Sequence, residues 1–382
     1  MSDSSLIVLA AGGTGGHIFP AEALAEELQA RGHRVVLITD KRFSDYKGSL
    51  SKLERHIIRA GTFGRGMASK ITAVTDIFVG IFQARKLLKA LKPDAVVGFG
   101  GYPSFPTVYA ASGLGIATVI HEQNSVLGRA NRLLLKRVGA IATTFAETRF
   151  IGDEYVSKVV LTGNPVRTAI RVLCEIPYPE LSTDGNIRIL VTGGSQGASV
   201  FSQIVPAAIT ALPGALRSRI RIDQQCREID LEATRAAYAQ MNVSADLSSF
   251  FSDIPARLAS AHLVIARAGA STIAELTAAG RPSILVPLPT AMDNHQYHNA
   301  NALEEVGGGW MMLQEGFTAA ALSARIESFL GLPASLARAA EYALKAGRIH
   351  AARDLGTLAL HIAGNGKIAD LSFVHPSVSR AA

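Results

Sequence analysis

Two glycine-rich turns are the first places in this sequence where chemistry could occur. They read Gly12-Gly-Thr-Gly-Gly16 and Gly193-Gly-Ser-Gln-Gly197, and each lies between a short apolar run and a helical pattern. Such a turn leads from a strand into a helix N-terminus, where backbone N–H groups and the helix dipole favour an anion. A single turn of this type is equally explained by the tolerance of glycine for positive φ. Because the unit occurs twice, we predict that both turns bind phosphate groups.

His17 directly follows the first turn and is a candidate general base. An imidazole titrates near neutral pH, which suits the removal of a proton from a hydroxyl group. The alternative is a histidine that only hydrogen-bonds to neighbouring backbone groups. A second polar cluster, His121-Glu-Gln-Asn124, follows a predicted strand. Consecutive residues seldom point at one ion, so this cluster favours sugar or diphosphate binding over a metal site.

Three further segments follow predicted strands and are expected at the same edge of a sheet. These segments are Gly98-Phe-Gly-Gly-Tyr-Pro-Ser104, Arg267-Ala-Gly-Ala-Ser-Thr-Ile-Ala-Glu275 and the polar loop 287–301. Ligands of open parallel sheets bind outside the carboxyl ends of the strands, so we predict that these segments converge on one crevice. Glu275 would accept hydrogen bonds from both hydroxyls of a ribose. The alternative is an ordinary solvated glutamate on a helix.

Alternating strand and helix patterns predict the elements that position these residues. The predicted strands begin near residues 6, 34, 95 and 116 in the first half and near 187, 220, 263 and 283 in the second. This alternation is typical of doubly wound parallel sheets, so the predicted fold class is α/β with two Rossmann-like sheets. A length of 382 residues suits two domains. We place them at residues 1–165 and 166–349, followed by a mobile tail over 364–382.

Composition excludes several classes of protein. Hydrophobic residues make up 48% of the chain and charged residues 18%, which excludes a disordered, collagen-like or coiled-coil protein. Two cysteines and no evident secretory start favour a reducing cytoplasm. The net charge of +7 would suit nucleic acid or an anionic membrane, but 6% aromatic residues and no long basic run argue against nucleic acid. The uncharged stretch 95–120 contains glycines and prolines that predict strand, turn, helix and strand instead of a membrane span.

A dinucleotide-binding domain is the main alternative for the first turn. Asp40 follows the second predicted strand, where a dehydrogenase would carry its ribose-binding acid. However, Ile18 occupies the position of the third glycine of that motif, and its side chain would hinder close packing of the helix. The pattern therefore disfavours a nicotinamide cofactor.

Six motifs together resemble the MurG family of glycosyltransferases. They are Gly12–Pro20, Gly98–Ser104, His121–Asn124, Gly163–Arg167, Gly193–Ala198 and Arg267–Glu275, in order within residues 6–363. The resemblance implies a GT-B fold with an N-terminal acceptor domain, a C-terminal domain for UDP-N-acetylglucosamine, and a last helix, about 350–363, that packs back on the first domain. It also implies transfer of N-acetylglucosamine from UDP-N-acetylglucosamine to lipid I (undecaprenyl-diphospho-N-acetylmuramoyl-pentapeptide), giving lipid II for peptidoglycan. The transfer would be inverting and would need no metal or other cofactor; the sequence contains no Asp-x-Asp pair.

The same resemblance implies roles for individual residues. His17 would remove the proton from the acceptor C4 hydroxyl, with Glu122 as the alternative base or as its partner. Acceptor contacts would come from Gly101, Tyr102, His121 and Gln123. Donor contacts would come from Thr14, Gly15, Gly16, Asn124, Arg167, Ser195, Phe251, Ala270, Ser271, Thr272, Glu275 and Gln296. At Phe251 the family often has an aliphatic residue, and the loop 288–295 departs from the family in length and sequence.

The stretch 70–89 predicts a basic amphipathic helix. Its apolar face would carry Ile71, Val74, Phe78, Ile81 and Phe82, bracketed by Lys70, Arg85, Lys86 and Lys89. On pattern alone, packing within the protein explains such a face better than a membrane does. Because the acceptor implied by the resemblance carries a polyprenyl chain, membrane contact becomes the better explanation of this face. We therefore expect a peripheral protein on the cytoplasmic face of the bacterial inner membrane, with anionic lipid and cell-wall assembly proteins as partners.

Other functions share parts of this pattern. The GT-B fold also serves transferases acting on diacylglycerol or small aglycones and UDP-N-acetylglucosamine 2-epimerases. A nucleotide-sugar binding protein without activity would keep the donor motifs. The acceptor-side motifs 100–103 and 121–124 favour lipid I, and the presence of His17, Glu275 and Gln296 disfavours an inactive protein.

Overall fold

The protein consists of two compact units, each built on its own parallel sheet. The computed structural model describes residues 4–43, 48–61, 67–182, 184–194 and 197–371, with the backbone alone for 67–70. The first unit comprises Met1–Arg167 with Ile349–Ala382, and the second comprises Thr168–Arg348. Each unit is described below by itself.

The first unit contains a seven-stranded parallel sheet in the order β3-β2-β1-β4-β5-β6-β7. Its strands are β1 Leu6–Ala10, β2 Arg34–Thr39, β3 Glu54–Ile57, β4 Ala95–Gly98, β5 Ala117–Glu122, β6 Ala140–Thr143 and β7 Val159–Leu161. Its helices before the second unit are α1 Gly15–Ala30, α2 Met67–Leu91, α3 Gly101–Ser112 and α4 Arg129–Leu134. Residues 7–10 are fully buried, as expected for a parallel strand covered on both faces.

The stretch 95–120 forms β4, α3 and the start of β5, as the glycine and proline pattern predicted. Among the residues that the structure describes, no helix is long and apolar enough to cross a bilayer.

The second unit contains a six-stranded parallel sheet in the order β10-β9-β8-β11-β12-β13. Its strands are β8 Ile187–Thr192, β9 Ile220–Gln225, β10 Ser244–Ser248, β11 Leu263–Ala266, β12 Ser283–Leu285 and β13 Gly309–Met311. Its helices are α5 Thr168–Arg171, α6 Ser199–Thr210, α7 Gly214–Arg217, α8 Leu231–Gln240, α9 Ile254–Ser260, α10 Ala270–Ala279, α11 His295–Glu305, α12 Ala319–Gly331 and α13 Pro333–Ala346. Two parallel sheets in one chain confirm the predicted α/β class.

The last helix, α14 (Ala351–Ala363), belongs to the core of the first unit. Leu355 and Leu358 are buried in the same apolar cluster as Ile7 of β1. The guanidinium of Arg31 at the end of α1 donates to the Thr357 hydroxyl at 3.0 Å, and also to a backbone carbonyl of α14. Apolar packing and these hydrogen bonds together fix α14 to α1.

The segment after α14 differs from the prediction of a mobile tail starting at residue 364. Residues 368–370 form a short 3-10 helix, and Leu371 is only 9% exposed because it packs in the core of the first unit. Residues 372–382 lie outside the described part of the chain.

Candidate active site

The first glycine turn links β1 to α1 and carries His17 in the first turn of the helix. Gly13 has φ of +89°, a conformation that glycine adopts without strain. Thr14 is the N-cap residue, and its carbonyl accepts hydrogen bonds from the N–H groups of His17 and Ile18. The Thr14 hydroxyl lies 3.4 Å from Nδ1 of His17. This arrangement places the imidazole at the carboxyl edge of the first sheet.

The turn between β4 and α3 lies directly against the same imidazole. Gly100 and Gly101 both have positive φ, +80° and +69°. A Cβ atom on Gly101 would lie 3.3 Å from Cε1 of His17, and one on Gly100 would lie 3.6 Å from Nε2. The structure therefore brings His17 together with the turn predicted to bind the acceptor, and the half-buried Tyr102 follows on α3.

Glu122 is a buried carboxylate at the end of β5 that holds the following loop. It accepts hydrogen bonds from the backbone N–H of Gly128 at 2.8 Å and the side chain of Asn131 at 2.8 Å. The backbone and side-chain amides of Asn124 also donate to it, at 3.1 and 3.3 Å. Burial raises the pKa of the Glu122 carboxyl, although these donors oppose the rise. With both oxygens engaged inside the unit, Glu122 is better suited to position Asn124 than to take a proton from a ligand.

His121 and Gln123 are predicted as acceptor contacts, but the structure buries both. Nε2 of His121 lies 2.9 Å from the Gly163 carbonyl, and the Gln123 amide donates to Nδ1 at 3.0 Å and to the Phe99 carbonyl at 2.9 Å. Burial lowers the pKa of His121 to about 4, so the ring is neutral near pH 7. These side chains connect strand ends within the unit, and their burial does not favour the predicted direct contact with an acceptor.

Arg167 ends the first unit close to its glycine turn. The guanidinium carbon lies 4.6 Å from the centre of the Phe19 ring. That ring in turn packs against Gly15, where a Cβ atom would lie 3.0 Å from Phe19. A cation–π contact of this kind helps to orient the arginine side chain. Arg167 and Gly15 therefore lie on either side of the Phe19 ring in the first unit.

The second glycine turn follows β8, and part of it is described. Gly194 and Gly197 have positive φ, +77° and +66°. Ser195, a predicted diphosphate contact, lies outside the described residues. The N–H of Gly194 lies 3.4 Å from Oγ1 of Thr192, whose hydroxyl hydrogen-bonds to Gln225 at 2.9 Å.

The predicted donor segment 270–275 forms the first turns of α10. Gly269 is the N-cap residue, and Ala270 is the first residue of the helix. Ser271, Thr272 and Glu275 are half-buried. The segment therefore joins a helix N-terminus, which attracts phosphate, to a carboxylate one turn further along the helix.

Two supporting contacts near this segment could not be predicted from the sequence. The nearly buried Arg267 donates to the carbonyl of Val286 at 3.1 Å and to the side chain of Gln314 at 2.6 Å. Gln296 accepts a hydrogen bond from the N–H of Leu288 at 3.0 Å and thereby holds the loop before α11. The partners of Arg267 lie 19 and 47 residues further along the chain, and Leu288 lies eight residues before Gln296.

Phe251 is predicted as a donor contact, but its ring is covered. Phe251 is 6% exposed, and the guanidinium carbon of Arg257 lies 3.8 Å from the ring centre. The neighbouring Phe250 is instead 73% exposed. Any contact of Phe251 with a ligand would involve its backbone, because the side chain packs inward.

The predicted membrane face on α2 is largely exposed. Ile71, Val74, Phe78 and Phe82 are 45% to 72% exposed, and Arg85, Lys86 and Lys89 are exposed near them. Ile81 differs from the prediction because it packs against the core of the first unit. The side chain of Lys70 lies outside the described part of the structure.

Within the described ranges, no three His, Cys, Asp or Glu side chains lie close enough together to hold a metal ion.

Two family models match most of the chain. The glycosyltransferase family 28 N-terminal domain matches residues 7–143, and the C-terminal domain of the same family matches residues 188–354. A UDP-N-acetylglucosamine--N-acetylmuramyl-(pentapeptide) pyrophosphoryl-undecaprenol N-acetylglucosamine transferase of Paramagnetospirillum magneticum is 53% identical over 361 residues, covering 94% of this chain and 97% of the relative. The protein of that name from Brucella abortus is 46% identical over 364 residues, covering 95% and 96%.

Solved structures show the same architecture. The crystal structure of Acinetobacter baumannii MurG has a TM-score of 0.75 and 30% identity, and the match covers 93% of this chain and 99% of that one. A UDP-GlcNAc 2-epimerase from Neisseria meningitidis has a TM-score of 0.64 at 14% identity, covering 92% and 98%, which shows a shared fold alone. The predicted GT-B architecture is thereby confirmed.

Proposed function

The chain belongs to glycosyltransferase family 28, and on that premise we propose that it transfers N-acetylglucosamine from UDP-N-acetylglucosamine to lipid I. The products are lipid II and UDP. Relatives that share about half of its residues over nearly the whole chain carry this activity in their names. The observation that carries the proposal is the position of His17, held at the first glycine turn against the backbone of Gly100 and Gly101.

In the proposed reaction His17 is the general base. A neutral imidazole nitrogen takes the proton from the C4 hydroxyl of the muramoyl sugar as that oxygen attacks the anomeric carbon of the donor. The bond between the anomeric carbon and the diphosphate breaks, and its electron pair leaves with UDP. Attack from the face opposite the leaving group inverts the α-linked donor to a β-1,4-linked product.

His17 is the proposed base, and Glu122 is proposed to hold the loop that carries Asn124. The Thr14 hydroxyl lies near Nδ1 of His17, and Nε2 lies beside Gly100, where we place the proton transfer. Glu122 acts through the loop that it fixes and thereby positions Asn124. This division is supported by the burial of Glu122 and by the four donors around its carboxylate.

The donor diphosphate is assigned to backbone N–H groups and one arginine. Thr14, Gly15 and Gly16 lie at the N-terminus of α1, and the second glycine turn precedes α6. Arg167 supplies positive charge near the first turn. Helix N-termini and an arginine can stabilise the charge that develops on UDP. We propose that no metal ion takes part.

The sugar and ribose of the donor are assigned to the second unit. Ala270, Ser271 and Thr272 begin α10, and Glu275 one turn later would accept hydrogen bonds from the ribose hydroxyls. Gln296, which anchors the loop before α11, is assigned to the donor sugar as well.

The exposed face of α2 is proposed to hold the enzyme on anionic lipid. Phe78 and Phe82 expose most of their surface, and three cations follow along the same helix. Apolar side chains beside lysine and arginine suit the boundary between lipid head groups and acyl chains. Binding there would place the enzyme on the cytoplasmic face of the inner membrane, where lipid I is its acceptor.

Release of UDP from UDP-N-acetylglucosamine, with and without a lipid I analogue, tests the reaction. We expect release that depends on the analogue, and formation of a β-linked disaccharide. His17→Ala should lower turnover by about a hundredfold or more, whereas the exposed His350→Ala should not change it. UDP release that ignores the acceptor would instead indicate hydrolysis or epimerisation.

A further inference from the structure

Arg257 in α9 is the centre of an ionic cluster that spans three elements of the second unit. Its guanidinium lies 2.7 Å from Asp223 of β9, 2.7 Å from Asp246 of β10 and 2.9 Å from Asp253 at the N-cap of α9. The arginine side chain is only 16% exposed. A planar guanidinium presents five N–H donors in a rigid fork, so it can bind several carboxylates at once in a fixed geometry. We call these four residues the Arg257 cluster.

The cluster determines where the segment 249–253 lies. Asp223 and Asp246 stand directly opposite each other on neighbouring parallel strands, so their charges repel unless a cation lies between them. Arg257 supplies that cation and also binds Asp253 at the end of the segment. Its guanidinium covers the ring of Phe251 at the same time. The C-terminal part of the segment is therefore fixed through one side chain.

The N-terminal part of the segment is connected to the second glycine turn. The amide of Gln225, at the end of β9, donates to the carbonyl of Ser249 at 3.2 Å. The side-chain oxygen of Gln225 accepts a hydrogen bond from the Thr192 hydroxyl, which lies beside Gly194 of the turn. A continuous set of hydrogen bonds thus runs across the carboxyl ends of β8, β9 and β10.

This geometry suits the binding of a nucleoside diphosphate. Neighbouring strands lie about 4.8 Å apart, so the end of β10 is about 10 Å from the end of β8. This separation is similar to the distance between the diphosphate and the base of an extended nucleoside diphosphate. A diphosphate at the turn after β8 would therefore extend its base towards the segment 249–253, at the edge where parallel sheets bind ligands.

We propose that Arg257 is a positioning residue for the nucleoside end of the donor. It holds the segment 249–253 in the conformation that contacts the base, and it does not itself touch the reacting atoms. The inference rests on the proposed use of UDP-N-acetylglucosamine. It adds a residue whose ion pairs connect α9 to both β9 and β10.

Competition by UDP and by inorganic pyrophosphate tests this role. In Arg257→Ala we expect the KM for UDP-N-acetylglucosamine and the inhibition constant of UDP to rise about tenfold, the equivalent of about 1.4 kcal/mol. The inhibition constant of pyrophosphate, the KM for the lipid I analogue and kcat should each change less than about twofold. A merely structural loss would raise both inhibition constants or lower kcat.

Arg235→Ala is the matched control, because Arg235 is an exposed arginine of the same unit that pairs with Glu232 of its own helix. Asp253→Asn is a milder variant in case Arg257→Ala fails to fold, since it weakens one ion pair and leaves the other two. It should raise the inhibition constant of UDP in the same direction by a smaller factor. Unchanged UDP inhibition in a folded Arg257→Ala or in Asp253→Asn would overturn the inference. A wild-type protein that bound no UDP would instead overturn the proposed function.

Discussion

The imidazole of His17 packs against the backbone of Gly101, where a Cβ atom would lie 3.3 Å from Cε1 of the ring. Few side-chain carbons approach a neighbour this closely, so an alanine at this position would require the imidazole to shift by a few tenths of an ångström. It joins the N-terminal turns of α1 and α3, the two helices that follow β1 and β4 in the centre of the first sheet. The orientation of the proposed base thus depends on a residue from another motif.

Gly101→Ala should lower kcat by about tenfold to a hundredfold, because the new methyl group displaces the imidazole. Gly115→Ala is the matched control: Gly115 also has positive φ, and a Cβ atom there would meet nothing within 4 Å. Both variants should lose about 1 kcal/mol of stability from the backbone conformation. Steady-state kinetics and thermal denaturation of the two proteins separate the effects. Equal turnover in both variants would contradict the proposed contact.

Glu122→Gln should destabilise the first unit by about 2 to 3 kcal/mol. The amide replaces one acceptor oxygen by a donor that faces the N–H groups of Gly128 and Asn131. Denaturant unfolding measures the loss, with the exposed Glu147→Gln as the control. The folded Glu122→Gln protein should keep more turnover than His17→Ala. Lower turnover in folded Glu122→Gln than in His17→Ala would instead identify Glu122 as the base.

His121 should make stability depend on pH in the acidic range. Its pKa is about 4 in the folded protein and 6.5 when unperturbed, so between these values the unfolded chain binds a proton that the folded chain does not. Stability is therefore lost as the pH falls, by about 2 kcal/mol from pH 7 to pH 5 for this group. The difference in unfolding free energy between pH 7 and pH 5 should be smaller in His121→Gln than in the wild-type protein. In the control His350→Ala, the difference between the two pH values should equal that of the wild-type protein. A decrease in both variants would contradict the assignment to the buried ring.

Phe78→Ser combined with Phe82→Ser should weaken binding to phosphatidylglycerol vesicles by about tenfold or more, because two large apolar side chains are lost. The denaturation midpoint should hardly change, since both side chains are exposed. Ile81→Ser tests the opposite case on the same helix: it should lower stability by about 1 to 3 kcal/mol while vesicle binding persists. Co-sedimentation and thermal denaturation give the two measurements. Full vesicle binding by the double variant would refute the proposed membrane face.

The sequence predicts elements well where apolar runs are continuous and poorly where strands are polar. β1 and β8 follow from their apolar runs and glycine turns. By contrast, β3 (Glu54–Ile57) and β10 (Ser244–Ser248) lie at sheet edges, and their residues are mostly charged, polar or half-exposed. Such strands form because a neighbouring strand offers hydrogen bonds. Their own residue types therefore do not predict them.

The same distinction applies to the candidate site. His17 could be assigned from its glycine turn, because local chain geometry fixes its place. His121 and Gln123 look equally polar in sequence, but their burial depends on partners at Gly163 and Phe99. The inward position of Phe251 depends on Arg257, whose own placement requires carboxylates from two strands. Interactions that need the register of several strands are not visible in a single sequence.

The return of α14 to the first unit has a consequence for synthesis on the ribosome. Chain elongation delivers residues 168–348 before the helix that completes the first core, so the second unit can fold while the first still lacks Leu355 and Leu358. Until then the apolar surface of α1 that α14 covers stays open to solvent or to a chaperone. The last unit to finish folding is thus the one synthesised first, and a nascent chain that stalls near residue 340 would keep that surface exposed.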